Sequence, residues 1–293
     1  MDDDTRLHNE DQYAGESTER SSKEPAVPIA GPLLLSDLTT SEMTAIAADI
    51  ELILIPIGAH EQHGPALPVS TDTLTAQILC SLTGALLRPR VAVAPAIPWG
   101  VSWHHLGMAG TISLREETLI ALVMDIVGSL SSHGFTRVVL INTHGGNNSA
   151  LAIAAERCHR ELGVPLVAPI YGYSLLANAA AEILGPDALG HGGGDEASAV
   201  MAIRPELVRP ELLADPEIDP EFRQTREILR AAGGSLPVMQ HLVSPSGATG
   251  DSRFASGEAG TAILGRAAGQ LQAVIEHLLT TKLPTPPLRN DGH

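Results

Sequence analysis

The chain has 293 residues, 44% of them hydrophobic, which is enough for one large α/β domain with a substantial core. Acidic residues outnumber basic ones by 34 to 18, and the formal net charge of −16 disfavours nucleic acids and anionic lipids as partners. No apolar run reaches the roughly 18 residues of a membrane span, and the first residues are acidic, unlike a signal peptide. We therefore expect a cytoplasmic protein that binds neither nucleic acid nor membrane.

The domain organisation follows from where apolar residues are scarce. Residues 1–26 are acidic and polar with little to bury, and residues 284–293 are proline-rich, so both ends are predicted to be flexible tails. Residues 27–283 are predicted to form one domain. The two cysteines, Cys80 and Cys158, lie far apart in apolar, helix-like stretches, which indicates buried thiols in a reducing compartment.

The predicted elements alternate between strands and helices along this domain. Apolar runs predict strands over residues 51–57, 91–96, 137–142 and 164–170. Helical periodicity predicts helices over residues 73–87, 115–133, 148–162, 195–202 and 258–279. Residues 204–251 are rich in proline, and they are assigned only a short helical piece around residues 222–232 and no chemistry. This alternation is typical of βαβ units and a mainly parallel sheet. The first, third and fourth strands are almost continuously apolar, as strands covered on both faces should be.

The first strand runs into the sequence GAHEQHGP, which contains potential metal ligands. In an extended backbone Glu61 and His63 point to the same side, while Gln62 faces away. A carboxylate with an imidazole suits Zn²⁺, Mn²⁺ or Fe²⁺ better than Mg²⁺ or Ca²⁺. An isolated pair of this kind is more often structural or solvated, so the neighbouring segments decide the interpretation.

Two further ligand candidates follow along the chain. A proline-bounded loop ends at Asp72, where the carboxylate is either only a helix cap or a bridge between two metal ions roughly 3.5–4 Å apart. Thr71 is the other possible cap. His144 follows the end of the third predicted strand, where it is either a buried structural histidine or a ligand at the carboxyl edge of the sheet. Asn147 or Asn148 is expected to cap the next helix.

A glycine-rich turn, GHGGGDEAS, precedes the fourth predicted helix. His191 lies on this turn, where an imidazole can exchange a proton near neutral pH. Glu196 lies in the first helical turn, where the helix dipole favours a carboxylate whether or not it has a function.

Together these motifs resemble those of the creatininase (creatinine amidohydrolase) family over nearly all of residues 27–283. GAHEQHGPALPVSTDT, NTHGGNNSA and HGGGDEASAVMAIRPEL match in order and spacing, as does GTIS within WGVSWHHLGMAGTISL. The resemblance implies a three-layer α/β sandwich around a mainly parallel sheet and a homo-oligomer, commonly a hexamer. It places the family's metal ligands on four positions: Glu61, His63, Asp72 (bridging) and His144. It places the proton-transfer histidine on His191 and the acidic residue that follows on Glu196.

The sequence also departs from creatininase itself. Gly146 stands where that enzyme has a metal-ligand glutamate, and Pro186–Ala188 stands where it has a tryptophan before the loop histidine. We expect Glu196 to supply the missing ligand, and creatinine is in doubt as the substrate. Four residues are expected to line the substrate pocket, or else to pack at a subunit contact: Ser102, Trp103, His104 and His105.

The predicted function is hydrolysis of an amide or cyclic amide C–N bond in a small molecule. A water bound to one of two divalent ions (Zn, Mn or Fe) would attack the carbonyl, and His191 would carry the proton to the departing nitrogen. A creatininase-like peptidase or deformylase in cofactor or natural-product biosynthesis is an alternative. An inactive metal-binding scaffold is another, suggested by the glycine at position 146.

Overall fold

The computed structural model describes residues 31–283, except for the side chain of Arg230. The tails predicted at residues 1–26 and 284–293 lie outside the described residues. Within residues 31–283, no helix combines the length and the apolar character that a membrane span requires.

A single five-stranded sheet forms the centre of the described region, and all of its strand pairings are parallel. The strands are β1 (Leu33–Leu34), β2 (Leu52–Ile57), β3 (Val91–Val93), β4 (Arg137–Asn142) and β5 (Leu166–Tyr171). Their spatial order is β1-β3-β2-β4-β5. In the centre, Leu54 of β2 pairs with Val93 of β3 on one side and with Val139 of β4 on the other.

Eight α-helices surround the sheet in the described region. They are α1 (Thr40–Ile46), α2 (Thr71–Leu86), α3 (Glu116–Ser132), α4 (Asn148–Leu162), α5 (Gly172–Leu184), α6 (Gly194–Ile203), α7 (Pro220–Ala231) and α8 (Gly257–Thr280).

Successive side chains of β2 enter two different cores, one on each face of the sheet. Ile53 and Ile55 pack in the core that α1, α3 and α4 cover, whereas Leu52 and Leu54 pack in the core beneath α2, α5, α6 and α8. This division follows from the two-residue period of a strand. The predicted three-layer sandwich with a parallel sheet is therefore confirmed.

The longest helix, α8, covers much of the second face. The Ser256 hydroxyl caps it by accepting from the Ala259 backbone N–H at 3.1 Å. Its apolar side, with Ile263, Leu271 and Ile275 fully buried, packs against α2, α5 and α6. The face of the sheet below β2 is thus closed by the last described helix of the chain.

Several details differ from the sequence-based expectations. The strand β1 and the helices α1 and α5 were not predicted, and the strand predicted over residues 91–96 ends at Val93. The fourth predicted strand, expected to be covered on both faces, is the edge strand β5, and Pro169 in it is exposed. A proline fits such an edge because it has no N–H to donate to a neighbouring strand. Cys80 and Cys158 are buried, unpaired thiols, as predicted.

Candidate metal centre

The predicted ligands meet at the carboxyl edge of the two central strands. Glu61 and His63 lie on the loop after β2, and His144 follows the end of the adjacent strand β4. Asp72 is the second residue of α2. The Thr143 hydroxyl donates to the Asp72 backbone carbonyl at 2.7 Å and so joins the start of α2 to the end of β4. Parallel strands place their carboxyl ends at one edge, which is where open α/β sheets carry their sites.

Asp72 lies between two buried imidazoles. Its Oδ1 is 3.3 Å from His63 Nε2, and its Oδ2 is 3.2 Å from His144 Nδ1. The same His144 Nδ1 is 3.1 Å from Glu61 Oε1. All four side chains are almost completely buried. One carboxylate therefore faces two nitrogen donors through different oxygens.

The chemistry of these donors fits a divalent cation. Glu61 Oε2 and Asp72 Oδ2 are buried and have no hydrogen-bond partner among the described residues. The 3.2 Å approach of His144 Nδ1 to Asp72 Oδ2 is an ion-pair contact without hydrogen-bond geometry. Buried carboxylate oxygens are costly unless paired or bound to a metal. Potential ligand atoms of Glu61, His63 and Asp72 all lie within 4.8 Å of one another.

The charges of the cluster depend on one another. Burial alone would raise the pKa of both acids, but His144 lowers the pKa of Glu61, and His63 and His144 lower that of Asp72. Burial would likewise lower the pKa of His63, but Asp72 and Glu196 raise it to about 10. Burial would also lower the pKa of His144, but Glu61 and Asp72 raise this pKa well above its usual value. The carboxylates therefore favour the protonated forms of His63 and His144.

The turn before α6 brings His191 and Glu196 to the same cluster. His191 Nδ1 is 3.7 Å from Glu61 Oε1, and Glu196 Oε2 is 3.6 Å from His63 Nε2. The Gly192 backbone N–H donates to Glu196 Oε2 at 2.7 Å. Burial raises the pKa of Glu196 to about 8, whereas burial and the neighbouring His63 lower that of His191 well below its usual value. Glu196 thus lies against the cluster as well as in the first turn of α6.

The loop of Ser102, Trp103, His104 and His105 forms another wall of the site. His105 is buried with its Nε2 3.7 Å from Glu61 Oε1, and Ser102 Oγ is 3.3 Å from His144 Nε2. His104 stacks on His144 at a centroid distance of 5.7 Å, and Trp103 lies edge-on to His104 at 5.7 Å. Burial and then the neighbouring histidines lower the pKa of His105 to about 2, so this ring stays neutral. Trp103 is 39% exposed and lies at the outer rim.

Gly146 lies in tight contact with this loop. A Cβ at this position would lie 2.1 Å from the Val101 carbonyl oxygen, 2.4 Å from His144 Nε2 and 3.0 Å from His104 Cε1. The Val101 carbonyl is also 2.9 Å from His144 Nε2, which therefore donates to it. The loop occupies the space that a glutamate side chain at position 146 would enter.

Both predicted helix caps need correction. The residue before α2 is Ser70, and no side chain caps the helix, so Asp72 and Thr71 both lie inside it. Asn147 precedes α4 as predicted, but its side chain does not cap the helix. It instead donates to the Gly58 carbonyl and accepts from the Val101 N–H at 2.8 Å. Asn147 thus attaches the histidine-bearing loop to the end of β2, a long-range role that no local pattern reveals.

Two contributions to the site were missed in the sequence. Gln62 was expected to face away from the ligands, yet its side chain contacts His105 and His191. Thr249, in the segment assigned no chemistry, accepts from the His191 backbone N–H at 3.1 Å and donates its own N–H to the His191 carbonyl at 2.7 Å. The only signal for Gln62 was its position between two candidate ligands.

A parallel α/β sheet with a buried cluster of carboxylates and imidazoles at its carboxyl edge is typical of metal-dependent hydrolases. Comparison with known proteins identifies the family. The model of the creatininase (creatinine amidohydrolase) family matches residues 36–275. A mycofactocin precursor peptide peptidase of Mycobacterium ulcerans is 32% identical over 253 residues, 84% of this chain and 89% of that protein.

Further relatives agree with this assignment. The creatinine amidohydrolase of Pseudomonas putida is 28% identical over 200 residues, 62% of this chain and 76% of that protein. A solved structure described as creatininase with Mn superposes with a TM-score of 0.73 at 25% identity, over 85% of this chain and 100% of that one. The chain belongs to the creatininase family and is a hydrolase of C–N bonds, which confirms the resemblance seen in the sequence.

Proposed function

We propose that the protein hydrolyses an amide or cyclic amide C–N bond of a small molecule at a divalent metal centre. The observation that carries this proposal is the pair of buried carboxylate oxygens, Glu61 Oε2 and Asp72 Oδ2, that lack hydrogen-bond partners beside His63 and His144. A divalent cation at this position would polarise a carbonyl group and make a water molecule more acidic.

The arrangement favours two cations per chain. Asp72 faces His63 through one oxygen and His144 through the other, as a bridging carboxylate would. Glu61 lies on the His144 side and Glu196 on the His63 side, so each side has a carboxylate of its own. Mixed nitrogen and oxygen donors suit Zn²⁺, Mn²⁺ or Fe²⁺. Glu196 would thus supply the ligand that Gly146 lacks.

His191 is the group proposed to move the proton. Its ring is only partly buried, and Nδ1 faces the carboxylate cluster, 3.7 Å from Glu61 Oε1. Because burial and neighbouring imidazoles keep the pKa of His191 low, the ring is neutral at pH 7 and can accept a proton. Nδ1 would take the proton from the attacking water and return it to the leaving nitrogen, which is a poor anion.

The substrate is proposed to differ from creatinine. The Val101 carbonyl and His104 fill the space beside Gly146, and Pro186–Ala188 replaces the tryptophan expected before the loop histidine. The donors around the proposed reaction centre are instead Ser102, His104 and His105. The pocket would therefore recognise a different amide through imidazole and hydroxyl groups.

A second candidate is a C–N bond within a peptide. The 32% identical relative from Mycobacterium ulcerans is named a peptide peptidase, and it aligns with 84% of this chain. Trp103 is 39% exposed at the rim, where a substrate longer than a small ring could contact it. Assays with small amides and with short peptides in parallel would distinguish the two candidates.

The test combines metal analysis with a hydrolysis screen. Protein purified without chelator should contain one to two Zn, Mn or Fe ions per chain, and it should release amine from at least one amide or peptide. Chelation should abolish the release, and adding back metal should restore it. The proposal fails if no transition metal is present and adding any of the three ions confers no hydrolysis.

Two variants separate the roles on the turn before α6. His191→Ala should keep its metal and lower turnover by roughly 10² to 10⁴, the usual range for losing a positioned acid or base. Glu196→Gln should lose part of the metal. Matched controls are His133→Ala at an exposed position and Glu258→Gln, an exposed first-turn carboxylate of α8, and neither should change metal or turnover. If His191→Ala loses metal while Glu196→Gln keeps it, the two roles are reversed.

A further inference from the structure

Gln62 lies between two imidazoles of the site. Its Nε2 is 2.6 Å from His105 Nδ1, 3.0 Å from His191 Nε2 and 3.1 Å from the Gly247 carbonyl oxygen. The residue is only 5% exposed, and its amide bonds to groups within the protein.

Two backbone groups fix which way the amide points. The Gly64 N–H donates to Gln62 Oε1 at 2.9 Å, and Gln62 Nε2 donates to the Gly247 carbonyl at 3.1 Å. A flipped amide would set a donor against the Gly64 N–H and an acceptor against the Gly247 carbonyl. The NH₂ group of Gln62 therefore faces the imidazoles.

This orientation determines the tautomer of His105. An amide NH₂ has no lone pair to offer, so His105 Nδ1, at 2.6 Å from it, has to be the acceptor. The ring proton then sits on Nε2, the nitrogen that lies 3.7 Å from Glu61 Oε1. His105 thus presents an N–H to the centre of the site.

The backbone of Gln62 determines the tautomer of His191. His191 Nε2 is 2.6 Å from the Gln62 carbonyl oxygen, which can only accept, so Nε2 carries the proton. The two hydrogens of the Gln62 amide already have acceptors in His105 Nδ1 and the Gly247 carbonyl. The 3.0 Å approach to His191 Nε2 is then a contact without a hydrogen bond. The neutral ring of His191 presents the lone pair of Nδ1 to Glu61.

We propose that Gln62 is a positioning residue that holds both His105 and His191 in the Nε2-protonated tautomer. Because the two rings turn opposite nitrogens to Glu61, a donor and an acceptor face the same carboxylate. The proposal rests on the function proposed above, in which the lone pair of His191 takes the proton. The fixed N–H of His105 would meet negative charge that develops on the substrate oxygen. One uncharged residue thereby assigns different tasks to two similar rings, through its side-chain amide for His105 and its backbone carbonyl for His191.

The test uses full-length protein loaded with Zn²⁺ and labelled with ¹⁵N-histidine. Magic-angle-spinning ¹⁵N NMR distinguishes protonated from bare ring nitrogens, and His105→Asn and His191→Asn variants assign the two rings. In the natural protein His105 should be protonated at Nε2 and bare at Nδ1, and His191 should be protonated at Nε2. Gln62→Met, which removes the donor at similar length, should give His105 a population protonated at Nδ1 and leave the Zn²⁺ content unchanged.

A matched control is Gln77→Met, the same substitution at an exposed position of α2, which should leave both rings unchanged. With an amide identified in the screen, Gln62→Met should lower kcat roughly 10- to 100-fold with little change in KM, as expected for misplaced catalytic groups.

Three outcomes would overturn the proposal. The first is a natural protein with His105 protonated at Nδ1, a result that does not depend on any substitution of Gln62. The second is a Gln62→Met variant whose His105 spectrum is unchanged. The third is a Gln62→Met variant that loses Zn²⁺ while His105 and His191 both keep their tautomer. A protein that binds Zn²⁺ but hydrolyses no amide would refute the proposed function and still leave the spectra to decide the role of Gln62.

Discussion

Replacing Gly146 with alanine tests whether the loop of His104 and His105 can hold its position only because residue 146 has no side chain. The new Cβ would lie 2.1 Å from the Val101 oxygen and 2.4 Å from His144 Nε2, whereas real Cβ contacts essentially never fall below 3.0 Å. The loop or the His144 ring therefore has to move by roughly 1 Å in a closely packed interior. Overpacking of this kind costs about 1–3 kcal/mol.

The same change should weaken metal binding. The two atoms in the way form the hydrogen bond between His144 Nε2 and the Val101 carbonyl, which orients the ring so that Nδ1 faces Glu61 and Asp72. Loss of such a supporting hydrogen bond typically lowers metal affinity about 10- to 100-fold. Gly146→Glu, which restores the residue of creatininase, should likewise bind metal more weakly than the natural chain.

Thermal unfolding and Zn²⁺ titration against a chelator measure both effects. A loss of 1 kcal/mol lowers Tm by about 2–4 °C in a chain of this size. The control is Gly269→Ala in α8, where an added Cβ meets nothing within 4 Å. It should be neutral or stabilise the helix by up to about 1 kcal/mol. Equal Tm and Zn²⁺ affinity in Gly146→Ala and the natural chain would refute the steric argument.

Two further predictions concern the metal itself. Asp72→Ala should lose more metal than His63→Ala, because Asp72 faces both His63 and His144; full occupancy in elemental analysis of Asp72→Ala would contradict the bridging role. In the metal-free protein burial raises the pKa of Glu196 to about 8, and the carboxylates, against burial, raise that of His63 to about 10. Glu61 and Asp72, against burial, also raise the pKa of His144 well above its usual value. Zn²⁺ uptake at pH 7 should therefore release about three protons, and apparent affinity should rise from pH 6 to 8 as fewer protons compete for the ligands. Calorimetry in buffers of different ionisation enthalpy measures the proton count, and a count near zero would contradict the assignment.

The sequence predicted the parts of the fold that depend on local periodicity. The apolar runs of β2 and β4 and the amphipathic patterns of α3 and α4 identified these elements to within a residue or two. The two-residue strand β1 was missed because it depends on pairing with β3, through Leu33 with Ala92, and on no pattern of its own. The helix α5 was missed because it begins at Gly172 directly after β5, without a side-chain cap to separate the two.

For the site, the sequence identified candidate groups but not their contacts. His144 and Asp72 could be proposed because each follows a recognisable element end or loop. The contact of Gln62 with the Gly247 carbonyl joins residues 185 positions apart, and it depends on how the proline-rich segment folds over the site. Local residue spacing carries no information about such a contact, since tertiary packing alone decides it.

The position of α8 has a consequence for the order of events during synthesis. The five strands of the described region end by Tyr171, and the proposed metal ligands are complete once Glu196 has been made. At that stage Leu52 and Leu54, on the face of β2 that α8 will help to cover, still lack the packing partners Ile263 and Leu271. A nascent chain that has left the ribosome only up to residue 256 therefore exposes an apolar sheet surface. We expect chaperone dependence and aggregation on truncation to be greatest between the completion of the sheet and the docking of this helix.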